Sequence, residues 1–490
     1  MRPSKTTTVI ACLLAACAAA PAAATTGQPT IMQDDGQLLN RGADVRNAAL
    51  DEMKALGADV VKLQLPWANI APGGARKPDG FEGGELSSYS EAAWAPYDHA
   101  ISAAQQRGLR VLLAVTLPAP GWATKQRGDG QGVFRPNARE FGRFFRAVGT
   151  RYDGAHGEGR IEFWSISNEP NHPDFLQPLG SRRGTLYAPR IYRDLVRNAV
   201  AGLKLSGHGG DTTLFGELLP IGQSRTGPRN SIRPVAFLRE FFCLDRRLRP
   251  YRGRTARRHG CSRGTRVSGV DGFAYHPYTR PGGPRVRERH ADDATIRSLG
   301  RITRVLDRAS SLRRLDRRRM RIYITEFAYQ SDPPDPFQTP LGRIPAYLNE
   351  AEWIAWRNGR VATWSQYALV DDALRGNGSD RYSGFQSGLR FEDGTAKPGV
   401  YDAFALPLFV RLRGSSSVEV WGAARGTGPG SRITIEQRIG SGSWTKLKEV
   451  AVGNRQGYFR ERIRISRASK RSFRVAAGER VSRTTKAARR

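Results

Sequence analysis

Short apolar runs alternate with amphipathic stretches from about residue 37 to residue 409. The runs are rich in β-branched residues, as buried strands are, and the longer stretches repeat apolar positions at helical spacing. We predict strands in GQLLNRGA (36–43), DVVKLQLPW (59–67), RVLLAVTLP (110–118), IEFWSISNEP (161–170), TLFGELLP (213–220), VDGFAYHPY (270–278), RIYITEFAY (321–329) and VATWSQYAL (361–369). Eight strands that alternate with helices predict parallel pairing in a closed (β/α)8 barrel, the TIM barrel of the α/β class.

An open, doubly wound sheet is the alternative architecture for the same alternation. That architecture favours a Gly-x-Gly-x-x-Gly phosphate turn after an early strand, and the sequence has no such turn there. We therefore predict a barrel domain over residues 25–409.

The pattern changes after about residue 410 to short alternating segments such as SSVEVWGAA and RITIEQRIG, separated by Gly/Ser turns. This pattern predicts a small antiparallel β-sandwich over residues 410–482, similar to the immunoglobulin-like or fibronectin-like modules of exported enzymes. Residues 483–490 are expected to form a frayed basic tail. Two roles stay open for the module: adhesion to a wall or glycan through its basic surface, or passive stabilisation of the barrel.

The N-terminus combines a basic start, a short apolar stretch and Ala-x-Ala sites near residue 24. These features predict an export signal over residues 1–24 and a secreted or cell-surface protein. The run that ends at Cys17 also fits the pattern for lipidation of an N-terminal cysteine, so a lipoprotein is a second possibility. No other segment is long and apolar enough to predict a transmembrane span.

Outside the signal, Cys243 and Cys261 are the only cysteines. In an exported chain, two cysteines this close in sequence predict one disulfide. Two free buried thiols are less consistent with the polar, Arg-rich loop between them. A metal site would need more ligands than nearby His259 supplies, so no metal is expected.

The formal net charge of +33 raises nucleic acid as a partner. The arginines are scattered over loops and helix faces, however, and no nucleic-acid-binding module surrounds them, so we predict no nucleic-acid function. For an exported protein the charge predicts attraction to an anionic cell-wall polymer, lipid headgroups or an acidic polysaccharide.

Two glutamates directly follow predicted buried strands, Glu169 in SISNEP and Glu326 in YITEF. In a (β/α)8 barrel the C-terminal ends of the strands form the mouth where chemistry takes place. Carboxyls from opposite strands can therefore face each other across the barrel axis. Glycoside hydrolysis requires such a pair, one acid to protonate the leaving oxygen and one carboxylate to attack the anomeric carbon.

The Asn168-Glu169-Pro170 motif on the fourth predicted strand and Glu326 on the seventh resemble the signature of clan A of the glycoside hydrolases, cellulase-like enzymes of family five or a related family. The resemblance covers most of residues 37–405. It implies a retaining enzyme with no metal or organic cofactor, in which Glu169 is the general acid/base and Glu326 is the nucleophile.

The same resemblance implies supporting roles for residues that core packing or turn formation could equally explain. Asn168 would bind the sugar 2-hydroxyl, and His276 would line the cleft. Tyr278 would orient Glu326, and Trp364 would form the floor of the subsite that holds the sugar being cleaved. Further strand-end candidates for substrate subsites are Trp67, Trp122, Asn171 and Glu217. An early arginine near the nucleophile, found in several clan members, has no clear counterpart, although Arg41 or Arg46 could replace it.

The leading hypothesis is an exported, monomeric, retaining glycoside hydrolase that cleaves a polysaccharide or oligosaccharide. The alternative is a non-catalytic carbohydrate-binding or cell-wall-binding protein on the same scaffold. The presence of both glutamates favours the enzyme.

Overall fold

The computed structural model describes residues 27–125, 132–156, 159–261, 264–377 and 381–489. The predicted export signal, with Cys17, lies outside the described residues. Within the described ranges, none of the helices has both the length and the apolar character needed to cross a bilayer.

Eight parallel strands close into a barrel in chain order, with the last strand paired to the first. The strands are β1 (Thr30–Gln33), β2 (Val60–Pro66), β3 (Arg110–Thr116), β4 (Phe163–Ile166), β5 (Thr212–Leu218), β6 (Gly272–Tyr275), β7 (Arg321–Ile324) and β8 (Val361–Tyr367). The principal helices outside the barrel are Gly42–Ala55, Glu91–Gln106, Ala138–Arg151, Ala188–Leu205, Pro234–Phe241, Gly300–Ser311 and Ile344–Trp356, and shorter ones span Asp35–Leu39, Trp67–Ile70, Gly253–Arg258 and Val400–Ala405. The predicted (β/α)8 barrel is confirmed.

The first predicted strand is wrong, because residues 36–43 lie in the helix Asp35–Leu39 and at the start of Gly42–Ala55. Strand β1 runs just before them. Asp34 ends that strand, since its side-chain oxygen accepts a hydrogen bond from the N–H of Gln37 at 3.0 Å and so caps the short helix.

The helix Ala138–Arg151 illustrates how the predicted amphipathic stretches fold. Asn137 caps it, because the Asn137 side-chain oxygen accepts hydrogen bonds from the N–H groups of Arg139 at 3.0 Å and Glu140 at 3.3 Å. Its apolar face packs against the barrel and is buried at Phe141, Phe144, Phe145 and Val148. This i, i+3, i+4, i+7 spacing is the pattern from which the helix is predicted.

The interior of the barrel changes from apolar to polar along its axis. Near the N-terminal ends of the strands it is filled by a separate apolar cluster of Ile31, Val60, Leu112, Phe163, Leu214 and Ala274. Side chains two positions further along a strand point to the same face. On three strands those positions hold Lys62, Ser165 and His276, all buried. The barrel therefore presents polar groups towards its C-terminal mouth.

The C-terminal module is an antiparallel sandwich, as predicted. One sheet contains β9 (Leu408–Leu412), β10 (Ser417–Ala423) and β13 (Tyr458–Arg464), and the other contains β11 (Arg432–Ile439), β12 (Thr445–Ala451) and β14 (Arg471–Ala477). The two inner faces share a core that includes Val418, Val420, Ile433, Ile435 and Phe473. The sandwich begins at Leu408, two residues before the predicted boundary.

The expectation of a frayed tail is wrong for residues 485–488. Thr485–Lys486 pairs with β14, and the N–H of Ala488 donates a 2.8 Å hydrogen bond to the carbonyl of Val410. Residues 485–488 therefore complete both sheets of the sandwich through their backbone groups.

The sandwich packs on the barrel helix Ile344–Trp356. Trp356 contacts Trp421 with ring centroids 5.8 Å apart, and the buried carboxylate of Glu352 accepts hydrogen bonds from Arg425 and, at 2.9 Å, from the hydroxyl of Tyr458. A junction built from buried aromatic rings and a fully paired charge favours the stabilising role of the module.

The predicted disulfide between Cys243 and Cys261 is present. The buried guanidinium of Arg193 supports the loop that the bridge closes, since it donates hydrogen bonds to the carbonyls of Phe241 at 2.7 Å and Gly260 at 3.2 Å. The bridge thus anchors the segment that links β5 to β6.

Candidate active site

Two glutamates meet at the C-terminal mouth of the barrel, Glu169 just after β4 and Glu326 just after β7. Their side chains are 18% and 8% exposed, respectively. One oxygen of each carboxylate and one ring nitrogen of His276 lie within 4.8 Å of one another. Two acids that are distant in sequence therefore face the same small volume.

The backbone around Glu169 is held in an unusual conformation. Ser167 has a φ of 71° and Glu169 a φ of 37°, both in the left-handed region that non-glycine residues rarely adopt. Hydrogen bonds fix the turn: the N–H of Ser167 donates to the carbonyl of Val115 at 2.8 Å, and that of Glu169 donates to the carbonyl of Glu217 at 2.9 Å. Strain that neighbouring strands maintain in this way is typical of functional sites.

Glu326 accepts hydrogen bonds on both of its oxygens. The ammonium of Lys62 donates to Oε1 at 2.9 Å, and the hydroxyl of Tyr278 donates to Oε2 at 3.2 Å. Gln64 contributes a longer contact to Oε1 at 3.5 Å. These donors fix the orientation of both oxygens of Glu326.

His276 lies between the two glutamates. Its Nδ1 is 3.0 Å from Oε1 of Glu169 and 3.3 Å from Oε2 of Glu326. Its Nε2 hydrogen-bonds Glu217, a third carboxylate that is completely buried below the other two. Both ring nitrogens of His276 therefore face carboxylate oxygens.

A β-bulge aims Glu217 into the barrel. The pairing between β5 and β6 shifts so that Gly216 faces Ala274 and Leu218 faces the next residue, which leaves Glu217 unpaired with a φ of 50°. Its carboxylate accepts hydrogen bonds from Lys62 at 3.0 Å, Ser165 at 2.5 Å, Thr325 at 2.7 Å and His276.

The buried charges shift one another's pKa values. Burial alone would raise the pKa of Glu217, but Lys62 and His276 hold it well below its usual range. Burial alone would lower the pKa of His276, but Glu326, Glu169 and Glu217 raise it to about 9. The pKa of Lys62 is likewise raised against the effect of burial by Glu217 and Glu326. At neutral pH the cluster therefore contains two cations and buried carboxylates.

Glu169, His276 and Glu326 are close enough to approach one cation. Both oxygens of Glu326, however, already accept hydrogen bonds, and the ammonium of Lys62 supplies positive charge at Oε1. A metal ion would have to displace these donors, so the residues present fit acid/base and nucleophilic chemistry better than metal ligation.

Asn168 is buried beside Glu169, and its side-chain oxygen accepts no hydrogen bond from any described residue. Buried polar atoms normally have partners, so this oxygen lacks a contact that its burial would usually require. The predicted sugar contact of Asn168 is consistent with this position and stays a prediction.

Trp364 does not occupy the position predicted for it. It is completely buried, with its ring 4.9 Å from that of Phe327, and has no face that a sugar could touch. The pairing of β1 with β8 sets Ser365 opposite Ile31, which belongs to the interior cluster, so Trp364 points outward into the helix layer. Tyr367 at the end of β8 shares the inward face and is partly exposed.

Burial also excludes three of the weaker subsite candidates. Trp67 is completely buried and stacks on Phe144 at 5.6 Å, and Asn171 uses its side chain to join the backbones of Leu219 and Ile232. Glu217 lies below the mouth rather than in a subsite. Trp122 alone among these four keeps partial exposure, so its contact with substrate stays a prediction.

A pocket of about 550 Å³ adjoins the mouth on the side of β1 and β2. Its polar lining includes Asp35, Gln64, Asn69 and Tyr97. Gln64 also contacts Glu326, so one side chain joins the pocket lining to the carboxylate pair. Burial raises the pKa of Asp35 to about 6.

The cation beside Glu326 is Lys62 rather than the predicted Arg41 or Arg46. Arg46 lies in the helix Gly42–Ala55 outside the barrel, and Arg41 immediately precedes that helix. A signal for Lys62 is present in the sequence. A lone lysine inside the apolar run VVKLQLP is unusual for a parallel strand that is buried on both faces.

Gly216 is required by the bulge, and its replacement by alanine should destabilise the fold. Its φ is 122°, and an added Cβ would lie 2.4 Å from the carbonyl oxygen of Ala274. Strain and overpacking together should lower the free energy of unfolding by about 2–4 kcal/mol. Gly210→Ala is the matched control, since nothing lies within 4 Å of its Cβ position. Urea unfolding of both variants measures the difference, and equal stabilities would contradict the strain argument.

No protein-family model and no curated protein matches the chain. Solved structures similar to it include a GH30 endoxylanase from Clostridium papyrosolvens, at 11% identity over 93% of this chain and 98% of that chain, with a TM-score of 0.46. An exo-β-1,4-mannosidase from an Opitutaceae bacterium is 14% identical over 77% of this chain and 58% of that one (TM-score 0.46), and the β-glycosidase of Thermosphaera aggregans is 15% identical over 73% and 83% (TM-score 0.45). Likenesses this distant assign neither a family nor a reaction.

Proposed function

We propose that this protein is a retaining glycoside hydrolase of the clan A type, with Glu169 as general acid/base and Glu326 as nucleophile. The observation that carries the proposal is the closeness of the two carboxylates, because one oxygen of Glu169 lies within 4.8 Å of one oxygen of Glu326. Retaining enzymes place their carboxyls about 5–5.5 Å apart, whereas inverting enzymes need about 6.5–9.5 Å to admit a water molecule.

In the first step the carboxylate of Glu326 forms a bond to the anomeric carbon while the bond to the leaving oxygen breaks. The electron pair goes to that oxygen, which takes the proton of Glu169. In the second step Glu169 removes a proton from water, the water oxygen bonds to the anomeric carbon, and Glu326 is released as a carboxylate. The anomeric configuration is inverted twice and thus retained.

The surroundings of the two acids support this division of roles. Glu326 is the more buried, and Lys62 and Tyr278 donate to its two oxygens and so hold the carboxylate in one orientation for attack. Glu169 is the more exposed and stands where a leaving group and water could reach it. Asn168 next to it is the residue predicted to bind the sugar 2-hydroxyl, and its side-chain oxygen has no partner among the described residues.

The alternative, a binding protein without turnover, is less consistent with the site. A protein that only binds a neutral sugar needs hydrogen-bonding side chains and aromatic faces. It does not need a cluster of three carboxylates and two cations, because burying charged groups costs free energy.

Hydrolysis of a panel of chromogenic β-glycosides tests the proposal. The wild type should release the chromophore from at least one of them, and the Glu326→Ala variant should not. Release of the β-anomer first, seen by proton NMR before mutarotation, would support retention. Equal and negligible turnover of the whole panel by both proteins would favour the binding protein.

We further propose that the enzyme is an exported monomer acting on a polysaccharide or oligosaccharide, and that its net charge of +33 attracts it to an anionic cell-wall polymer. Such attraction is electrostatic, so retention on isolated cell walls should fall steeply as salt is raised. Retention that is independent of salt would contradict it.

A further inference from the structure

The ring of His276 hydrogen-bonds on both edges to acceptors that cannot donate when ionised. Nε2 faces Glu217, and Nδ1 faces Glu169 at 3.0 Å and Glu326 at 3.3 Å. A neutral imidazole carries only one N–H, so one of its nitrogens would direct a lone pair at a carboxylate. When Glu169 is ionised, only the doubly protonated imidazolium satisfies both edges of the ring. When Glu169 is protonated, as the proposed first step requires, Nδ1 still faces Glu326 at 3.3 Å, and an imidazolium N–H satisfies that ionised carboxylate as well.

We propose that Glu217 is a positioning residue. As a permanent counterion it keeps His276 an imidazolium throughout turnover, so that the Nδ1–H of His276 can donate to Glu326 before the first step and to Glu169 after it. This inference rests on the proposed function. Glu217 itself does not touch the substrate, because it is completely buried below the two reacting carboxylates.

The charges of the cluster support a permanent counterion. Before the first step, protonated Glu169 is neutral, Glu326 and Glu217 are negative, and Lys62 and His276 are positive, which sums to zero. After the first step Glu326 is a neutral ester and Glu169 is negative, so the sum is again zero. The only change is that one negative charge has moved from one neighbour of the His276 Nδ1–H to the other.

Glu217 differs from the other two carboxylates around His276 because no bond to it forms or breaks. When the ester forms, Glu326 ceases to stabilise the imidazolium, and Glu217 remains as an anion with four donors. The ionisable groups that surround His276 are Glu169 from β4, Glu217 from β5, Tyr278 from its own segment, Glu326 from β7 and, through the carboxylates, Lys62 from β2. The pKa of His276, raised to about 9 in this setting, agrees with the geometry.

The backbone of Glu217 serves the same site. Its carbonyl accepts the hydrogen bond from the N–H of Glu169, whose φ of 37° needs such support. The bulge itself is held from outside the barrel by the hydroxyl of Tyr192, which accepts from the N–H of Gly216 at 2.8 Å and donates to the carbonyl of Ile166 at 2.8 Å. A change confined to the Glu217 side chain leaves these backbone contacts in place.

Nitrogen-15 NMR of histidine-labelled protein tests the charge of His276 without any substrate. Its signals are assigned by their loss in His276→Asn. In the wild type both ring nitrogens should stay protonated from pH 5 to beyond pH 8, because a raised pKa keeps the positive charge until the pH passes it. Titration of wild-type His276 at an ordinary histidine pKa of about 6.5 would overturn the inference.

The variant Glu217→Gln tests whether Glu217 is the cause. It keeps the size of the side chain and removes its charge, so the pKa of His276 should fall by at least about one unit. The kcat of the variant should fall at least ~10-fold with KM little changed. The ratio of its kcat to that of the wild type should decrease further from pH 6 to pH 8.5, because His276 loses its proton in the variant over this range. A lower kcat with an unchanged His276 titration would reduce Glu217 to a structural role and overturn the proposal.

Asp211→Asn is the matched control. Asp211 hydrogen-bonds His208, another buried histidine, at 2.5 Å, but the pair lies at the opposite end of the barrel. This variant should leave the His276 titration and kcat unchanged. If the wild type hydrolyses no glycoside while His276 titrates as expected, the proposed function fails and the electrostatic inference stands. If Glu217→Gln does not fold, the same titration is measured on Glu217→Asp, which keeps the charge but withdraws it from Nε2 of His276 by one methylene group, so the pKa of His276 should again fall.

Discussion

Replacing Glu326 with glutamine should lower kcat on an activated aryl β-glycoside by a factor on the order of 10⁴–10⁶, the usual cost of removing a nucleophile. The amide cannot form the ester to the anomeric carbon, so the first step loses its route. Glutamine preserves the shape of the site, and its oxygen can still accept from Lys62, so the folded state should survive. Steady-state hydrolysis, with circular dichroism as a check of folding, measures the effect.

A control for the loss of one carboxylate is Glu436→Gln in the sandwich. Glu436 is partly buried and pairs with Arg474 at 2.6 Å, far in sequence from the barrel mouth. Its hydrolysis rates should equal those of the wild type. If Glu326→Gln kept more than a tenth of wild-type turnover, Glu326 would not be the nucleophile, and the assignment of roles would have to change.

The strand-end glutamates were predictable because their signal is local in sequence. Each follows a short β-branched run, and parallel strands in a closed barrel all end at the same mouth. The distance between Glu169 and Glu326 was not predictable as a number, but their sharing of one space follows once the strands are counted correctly. The wrong first strand does not change the strand count, because β1 and residues 36–43 come at the same place in the order of strands along the chain.

Trp364 and Lys62 show where the sequence becomes ambiguous. A parallel strand with helices outside and a filled interior is apolar on both faces, so its sequence does not reveal which alternate residues point inward. Trp364 is one position from the inward residue Ser365, and only the pairing of β8 with β1 decides the direction. Lys62 points inward for the same reason, and its partners come from β5 and β7.

The bulge at Glu217 depends on contacts still more distant in sequence. Gly216 and Glu217 read as ordinary strand residues in TLFGELLP, and nothing in that segment predicts a shift of register. The bulge is supported by Tyr192 from the preceding helix and by the close approach of Ala274 on β6. The sequence therefore predicts Glu169 and Glu326 at the mouth, assigns Glu217 to a subsite rather than to a position below the pair, and leaves Lys62 and Ser165 unassigned.

Glu169→Gln should produce a loss that depends on the leaving group. With a poor leaving group, which needs the proton, kcat/KM should fall by about 10²–10⁴, the usual contribution of general acid catalysis. With a good leaving group such as dinitrophenolate, the first step should be almost unaffected, and release of the ester should become rate-limiting because water has lost its base. Azide needs no base, so adding it should restore turnover and give the β-glycosyl azide, detectable by mass spectrometry and NMR. The same loss with both leaving groups and no effect of azide would mean that Glu169 is not the acid/base.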